Sequence, residues 1–272
     1  MPQTFPDTAR PWRQTGRLRV MTLNIWFGWF EQERRTSALI DVLATLSPDF
    51  VALQEMTVPV LRQLAGDSRL ADYWFSDRDG RTFDSYGVVL LARRAPDVFS
   101  IHPFTSAMNR SLVEGVWSLP GGDLQVGAVH LESKQVMRDY RLRQLRELEK
   151  PMNRGDWSLL MGDFNFCHSF PENDVLPEGF HDLWPLLNPG DPGWTVDTDI
   201  NKMRLADKGK EKQVRFDRIL LAPRKPGLRP ESMQLVGNQA LEPGVLLSDH
   251  FGLCLDCVLE EAELLGRDGA NP

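Results

Sequence analysis

Cysteine is scarce: the 272-residue chain holds three, Cys167, Cys254 and Cys257. That leaves no disulfide framework and suits a reducing compartment. Cys254 and Cys257 have the spacing of a redox or zinc pair, but they lie in GLCLDCVL, which reads as a strand. Residues three apart on a strand point to opposite faces, so two buried structural thiols are the expectation. Long apolar runs are missing too. Nothing approaches a membrane span, and the opening MPQTFPDTARPWRQTGR has no apolar core of signal-peptide length. Positions 1–16 are expected to form a flexible leader and 261–272 a frayed tail, with a single domain over 17–260. No Ser/Gly/Pro-rich linker or internal repeat divides that span. The expected setting is the cytoplasm, or the nucleus in a eukaryote, and the expected state a monomer. Positive charge is also short, with 31 Lys and Arg against 38 Asp and Glu, a net charge of −7. Such a chain does not coat nucleic acid through a bulk positive field. Bound divalent cations and a local basic rim can still offset acidic site residues.

What is present centres on Trp157 to Asn165, WSLLMGDFN. Its first five residues form a short apolar run with one polar interruption, the pattern of a buried strand. Gly162 permits a bend or a close approach, and Asp163 and Asn165 follow at spacing two. If the extended backbone continues, both polar side chains leave on one face while Phe164 enters the core. A carboxylate beside a carboxamide suits work on a phosphate: one takes a proton or binds a cation, the other donates to an oxyanion. Gly, Asp and Asn are equally ordinary turn residues.

Five further fragments share this form: TLNIW (22–26), LQE (53–55), HLES (130–133), RFDRIL (215–220) and SDH (248–250). Each joins an apolar strand-like run to a polar residue at or near its end. Between them, apolar spacing predicts amphipathic helices over 33–46, 58–70 and 137–150. Pro120-Gly121-Gly122-Asp123 predicts a hairpin between strands over 111–119 and 124–131. Residues 166–214, with many Pro, Asp and Gly, read as a long loop stretch of the kind that carries specificity.

In this order the motifs resemble the endonuclease/exonuclease/phosphatase superfamily, the DNase I-like proteins. HLES, WTVDT (194–198) and RFDRIL followed by SDH are most similar to its 5′-tyrosyl-DNA phosphodiesterase branch. The resemblance covers about residues 17–259. It implies an α/β fold, a four-layer α/β/β/α sandwich of two packed mixed sheets with outer helices and the polar strand ends at one edge. It also implies a nuclease-type hydrolase of DNA repair. The expected activity is metal-dependent phosphodiester hydrolysis at a DNA 5′ end or 5′-tyrosyl-DNA adduct, by general-base activation of water. Mg²⁺, or Mn²⁺, is the expected cofactor, since hard oxygen ligands suit both. A phosphoester such as a single-stranded DNA end is the expected partner.

Glu55 is the expected metal ligand, with Asn24 beside it. Asp163 is the expected general base and Asn165 the holder of the water or the phosphate. His130 and His250 would contact phosphoryl oxygens, at least partly protonated. Asp217 would orient His250 and favour its imidazolium, unless it pairs with Arg215 or Arg218. Asp249 either orients His130 or binds metal through water. Ser133, Trp194, Asn201 and Arg215 are the candidate substrate contacts.

The resemblance thins at three positions. The branch expects an arginine two residues after the serine of HLES, another two residues after the asparagine of GDxN, and a tryptophan before Asp-Thr. Gln135, Cys167 and Val196 stand there, with Trp194 two residues off. Two bidentate phosphate grips and a stacking surface are thereby lost. Lys134, Arg138, Lys202, Arg204, Lys208 and Lys210 are cations able to replace them. A second reading is a phosphatase or phosphodiesterase on a small or lipid-derived phosphate of phosphoinositide or sphingomyelin type, which the acidic charge favours. A non-catalytic binding module is disfavoured, because no expected catalytic position is replaced.

Overall fold

Apolar side chains alternate along the central strands, and the two faces they create enter different cores. A computed structural model describes residues 16–167 and 169–260; the expected leader, apart from Gly16, and the expected tail lie outside the described residues. The first half comprises β1 (Arg17–Asn24), α1 (Gln32–Leu46), β2 (Phe50–Met56), α2 (Val58–Gly66), β3 (Trp74–Phe75), β4 (Gly87–Ala92) and β5 (Val98–Pro103). Next come β6 (Ser111–Leu119), β7 (Gly122–His130), α3 (Arg138–Leu148) and β8 (Trp157–Asp163). Short elements follow: β9 (His181–Asp182), α4 (Leu183–Leu187), β10 (Val196–Asp197), α5 (Lys202–Lys208) and β11 (Gln213–Val214). The last strands are β12 (Asp217–Pro223), β13 (Leu228–Val236) and β14 (Gly252–Leu259).

Two six-stranded sheets result, ordered β13-β14-β1-β2-β4-β3 and β5-β6-β7-β8-β12-β9. Each has one parallel pair at its centre, β1/β2 in the first and β7/β8 in the second. A parallel pair needs a crossover, which α1 and α3 provide. On β1 and β2, Val20, Phe50 and Ala52 face the second sheet, where Val113, Val126, Leu159 and Met161 meet them. The intervening Met21, Leu23, Val51 and Leu53 meet Leu39 and Leu43 of α1 and Leu61 and Leu64 of α2. Outside the second sheet, Val129 and Leu160 pack on Leu145 and Leu148 of α3. Helix, sheet, sheet and helix thus form the four expected layers. Cys254 joins the outer core and Cys257 the inter-sheet core, buried on opposite faces of β14 as the spacing predicts. No described helix is long and apolar enough to cross a membrane.

The stretch 166–214 is not simple loop. It contains α4 and α5, each capped by an acceptor side chain, Asp182 for the Trp184 N–H and Asn201 for the Arg204 N–H. These helices are too short for apolar periodicity to mark them.

Candidate active site

The inter-sheet face that builds the core carries polar residues where its strands end. Val20, Thr22 and Asn24 share that face on β1, as do Ala128 and His130 on β7, Met161 and Asp163 on β8, and Asp217 and Ile219 on β12. Register then sets His130 opposite Asp163, and Asp163 opposite Asp217, across three neighbouring strands. Gly162 makes this possible: its φ is 142°, and a Cβ there would lie 1.9 Å from the Val129 carbonyl oxygen. From the other sheet, the Asn24 amide donates to Asp163 Oδ2 and to Glu55 Oε1, both at 3.1 Å. One buried carboxamide therefore ties the two sheets together at their polar edge.

Glu55 has the wrong strand parity for this face, since Gln54 next to it bonds Thr22 inside the interface. A left-handed turn at Glu55 (φ 58°) and a register shift between Leu53 and Met56 bring its carboxylate round. Its Oε2 also accepts the Phe27 N–H at 3.1 Å. On the far side, Ser248 donates to the Asn24 carbonyl at 2.5 Å and His250 Nδ1 lies 2.8 Å from Asp217 Oδ2. Asp249 is held by Arg204.

The two histidines differ electrostatically. Arg110 donates to His130 Nδ1 at 2.9 Å. A guanidinium has no acceptor, so that nitrogen carries no proton and Nε2, 3.4 Å from Asp163 Oδ2, carries it. Burial and then the Arg110 charge push the His130 pKa down to about 3. His250 goes the other way: against burial, Asp217, Asp249 and Asp163 raise it to about 9. Burial alone would raise Asp163, but His250, His130 and hydrogen bonds from Asn24 and Asn165 hold it below the usual carboxylate range. Glu55 is raised, by burial first and then by Asp249.

That last repulsion is the test of a metal. The Glu55 carboxylate, bonded by the Asn24 amide and repelled by the charge of Asp249, is a hard oxygen donor whose strain a divalent cation would relieve. Asp163, Asp217 and His250 also bring donor atoms within 4.8 Å of one another. There the imidazolium already supplies the positive charge and Asp217 occupies its Nδ1, so Glu55 and Asp249 fit a cation better.

The sequence pattern of the Endonuclease/Exonuclease/phosphatase family matches residues 21–250. The chain belongs to that family. Among its relatives, tyrosyl-DNA phosphodiesterase 2 of Gallus gallus is 30% identical over 236 residues, which are 81% of this chain and 61% of that protein. The Mus musculus protein of the same name is 31% identical over 229 residues, 80% of this chain and 60% of the relative. The chain thus spans about three fifths of the curated relatives it matches. A crystal structure of the D. rerio protein complexed with a single-strand DNA product superposes with a TM-score of 0.76 at 28% identity, covering 89% of this chain and 98% of that one.

Within this family frame several expectations need correction. His130 is not the partly protonated imidazole of the expectation: burial and Arg110 on its Nδ1 keep it neutral. The same contact leaves no room for Asp249 to orient His130 through Nδ1. Arg215 and Arg218 do not pair with Asp217: both point to Asp182, Arg215 at 2.6 Å and Arg218 at 3.5 Å. Arg215 is held in that pair and braces the scaffold, its charge engaged by Asp182. Asn201 is also buried, its amide donating to the Ser248 carbonyl and its oxygen capping α5. It positions the SDH loop. Asn165 does not continue the strand: it is left-handed (φ 56°), its N–H donates to Asp163 Oδ1 and its amide to the Leu131 carbonyl. A turn, not pleat alternation, brings it beside Asp163, while Phe164 is in the core as expected. Ser133 is half-buried with its hydroxyl on the Met108 sulfur, and Trp194 is half-buried one residue before Thr195, whose hydroxyl accepts the Asp217 N–H.

Sequence reasoning missed Arg110 and Tyr86. Arg110 lies over the Tyr86 ring, and Tyr86 stacks on Phe27 at 4.8 Å. Only the hairpin offered a signal. Counting back from its turn continues the Leu112–Val129 pairing to Ser111 and His130, so Arg110 falls one residue beyond, and strand parity does not turn it toward the imidazole.

Proposed function

We propose that this chain is a divalent-metal-dependent phosphodiesterase that hydrolyses a phosphoester at a DNA 5′ end, with a 5′-tyrosyl single-stranded DNA adduct as substrate. The observation that carries this is the acidic Asp163, held among a neutral His130 N–H, the Asn24 amide and a cationic His250, beside the Glu55–Asp249 carboxylates. The matched tyrosyl-DNA phosphodiesterase 2 relatives and the single-strand DNA product in the D. rerio structure support the substrate class. Mg²⁺ at Glu55 and Asp249 would supply charge neutralisation on a phosphoryl oxygen.

The chain's own groups do the rest. Asp163 accepts a proton from the attacking water, which Asn165 helps to hold. A carboxyl held below the usual range is a weaker base, and an incoming phosphate adds negative charge beside it that raises its pKa. His130 donates from Nε2 and His250 offers an imidazolium to the charge that builds on the phosphoryl oxygens.

The test is a parallel turnover assay with Mg²⁺ on 5′-phosphotyrosyl single-stranded DNA, abasic duplex, plain DNA and phosphoinositides. The tyrosyl adduct is expected to turn over fastest. Asp163→Asn should lower its kcat by about 10³-fold, the size of a general-base contribution. Undiminished turnover in excess EDTA overturns the metal. Preference for the phosphoinositide, which the absent arginines at Gln135 and Cys167 would permit, overturns the substrate.

A further inference from the structure

Most of the cations able to replace the two missing arginines are already engaged. Arg204 is held by Asp249 and Lys202 donates to the Thr198 carbonyl. Lys208 pairs with Asp207 and Arg138 lies 3.8 Å from Glu172. Lys134 and Lys210 stand exposed, as Lys212 does, but neither rests on an aromatic ring among the described residues. A seventh cation, Lys212, is different. Its backbone is pinned at both ends by Thr198 of the WTVDT motif: Lys212 N–H donates to Thr198 Oγ1 at 2.8 Å, and its carbonyl accepts the Thr198 N–H at 2.9 Å. The side chain folds over the Phe216 ring, with Nζ 4.2 Å from the centroid. Phe216 in turn tilts against His250, ring centroids 6.4 Å apart.

Among the described residues Lys212 makes no ion pair. Burial and then the Arg204 guanidinium lower its pKa, opposed by the Asp163 and Cys167 side chains, so the ammonium feels both the Asp163 carboxylate and the position where an arginine is lacking. The aromatic face holds the ammonium without neutralising it. An oriented, unpaired cation at the rim of a phosphoester site is matched by an anion.

We propose that Lys212 binds a non-scissile phosphate of the substrate strand, adjacent to the one hydrolysed. With the Phe216 ring interposed, Lys212 is displaced from His250 and meets a second phosphate, while the scissile one lies at His130 and His250. The contact is a point-charge contact, replacing the guanidinium that Cys167 cannot provide. This rests on the reading that the substrate is a nucleic acid strand, since a substrate with one phosphate would not reach it.

The experiment compares wild type, Lys212→Ala and Lys212→Arg after matching their melting temperatures. Binding of a 5′-phosphorylated oligothymidylate is followed by fluorescence anisotropy across a salt series, with Ca²⁺ in place of Mg²⁺ to suppress turnover. Lys212→Ala is expected to weaken binding about fivefold near physiological salt and to reduce the slope of log K against log salt by about 0.7, one single-strand phosphate contact. Lys212→Arg should keep both. In turnover, the advantage of an oligonucleotide substrate over a single-phosphate thymidine aryl ester should shrink in Lys212→Ala through KM. An unchanged salt slope overturns the proposal, as does an equal loss on the single-phosphate ester. Because binding is read without chemistry, a protein that fails to cleave tyrosyl-DNA but loses slope would refute the substrate reading alone.

Discussion

His130 and His250 are both buried imidazoles acting on Asp163, yet one is held neutral and the other cationic. The difference lies in the partner at Nδ1: a guanidinium in one case, a carboxylate in the other. Because the folded pKa of His250 is raised from its ordinary 6.5 to about 9, its contribution to stability is complete below about pH 6.5 and is lost as pH rises through 9. A phosphoryl-transfer step that uses the imidazolium should fall on the same alkaline limb. Asp217→Asn keeps the shape and removes the main charge raising His250. The alkaline limb of kcat/KM should then move well below pH 9, with more than tenfold loss at pH 8.5 and a smaller loss near pH 6. A limb that stays in place would show that His250 does not act as a cation. The pairing of Asp217 with His250 was legible, because RFDRIL and SDH carry it in the sequence. The neutrality of His130 was not, because Arg110 is 20 residues away and belongs to no motif.

At the scale of elements, the central strands were readable because burial on both faces writes continuous apolar runs. The strands left unread lie at the sheet edges. β5 is largely exposed and β13 only partly buried, so neither shows a clean alternation. Strand parity correctly placed Asp163 and failed for Asn165, which leaves the extended region at positive φ, as Glu55 also does. Gly162 shows how far a single backbone position governs the site. Gly162→Ala would drive a methyl into the Val129 carbonyl at a φ that L-residues avoid. We expect a loss of more than ~3 kcal/mol and a collapse of activity, read by chemical denaturation and turnover. A loss under about 1 kcal/mol would mean that the β7/β8 contact is softer than its geometry.

Across the whole molecule, the inter-sheet core draws on both sheets at once, with Phe50 of the first packed edge-on against Trp117 of the second at 4.8 Å. Neither sheet can keep its apolar face covered alone. We therefore propose that residues 17–260 form one folding unit. Thermal unfolding followed by indole fluorescence and by far-ultraviolet circular dichroism should give coincident transitions. Two separated midpoints would overturn this.

Local sequence by itself determined the central strands, which of their faces are apolar and which motifs carry acids, amides and imidazoles, because these follow from side-chain chemistry and short-range periodicity. Only the tertiary structure decided which tips meet, which histidine holds a charge and which cation is unpaired. Those properties depend on the burial and partners of each group, supplied by segments far away in the chain, and no local pattern encodes them.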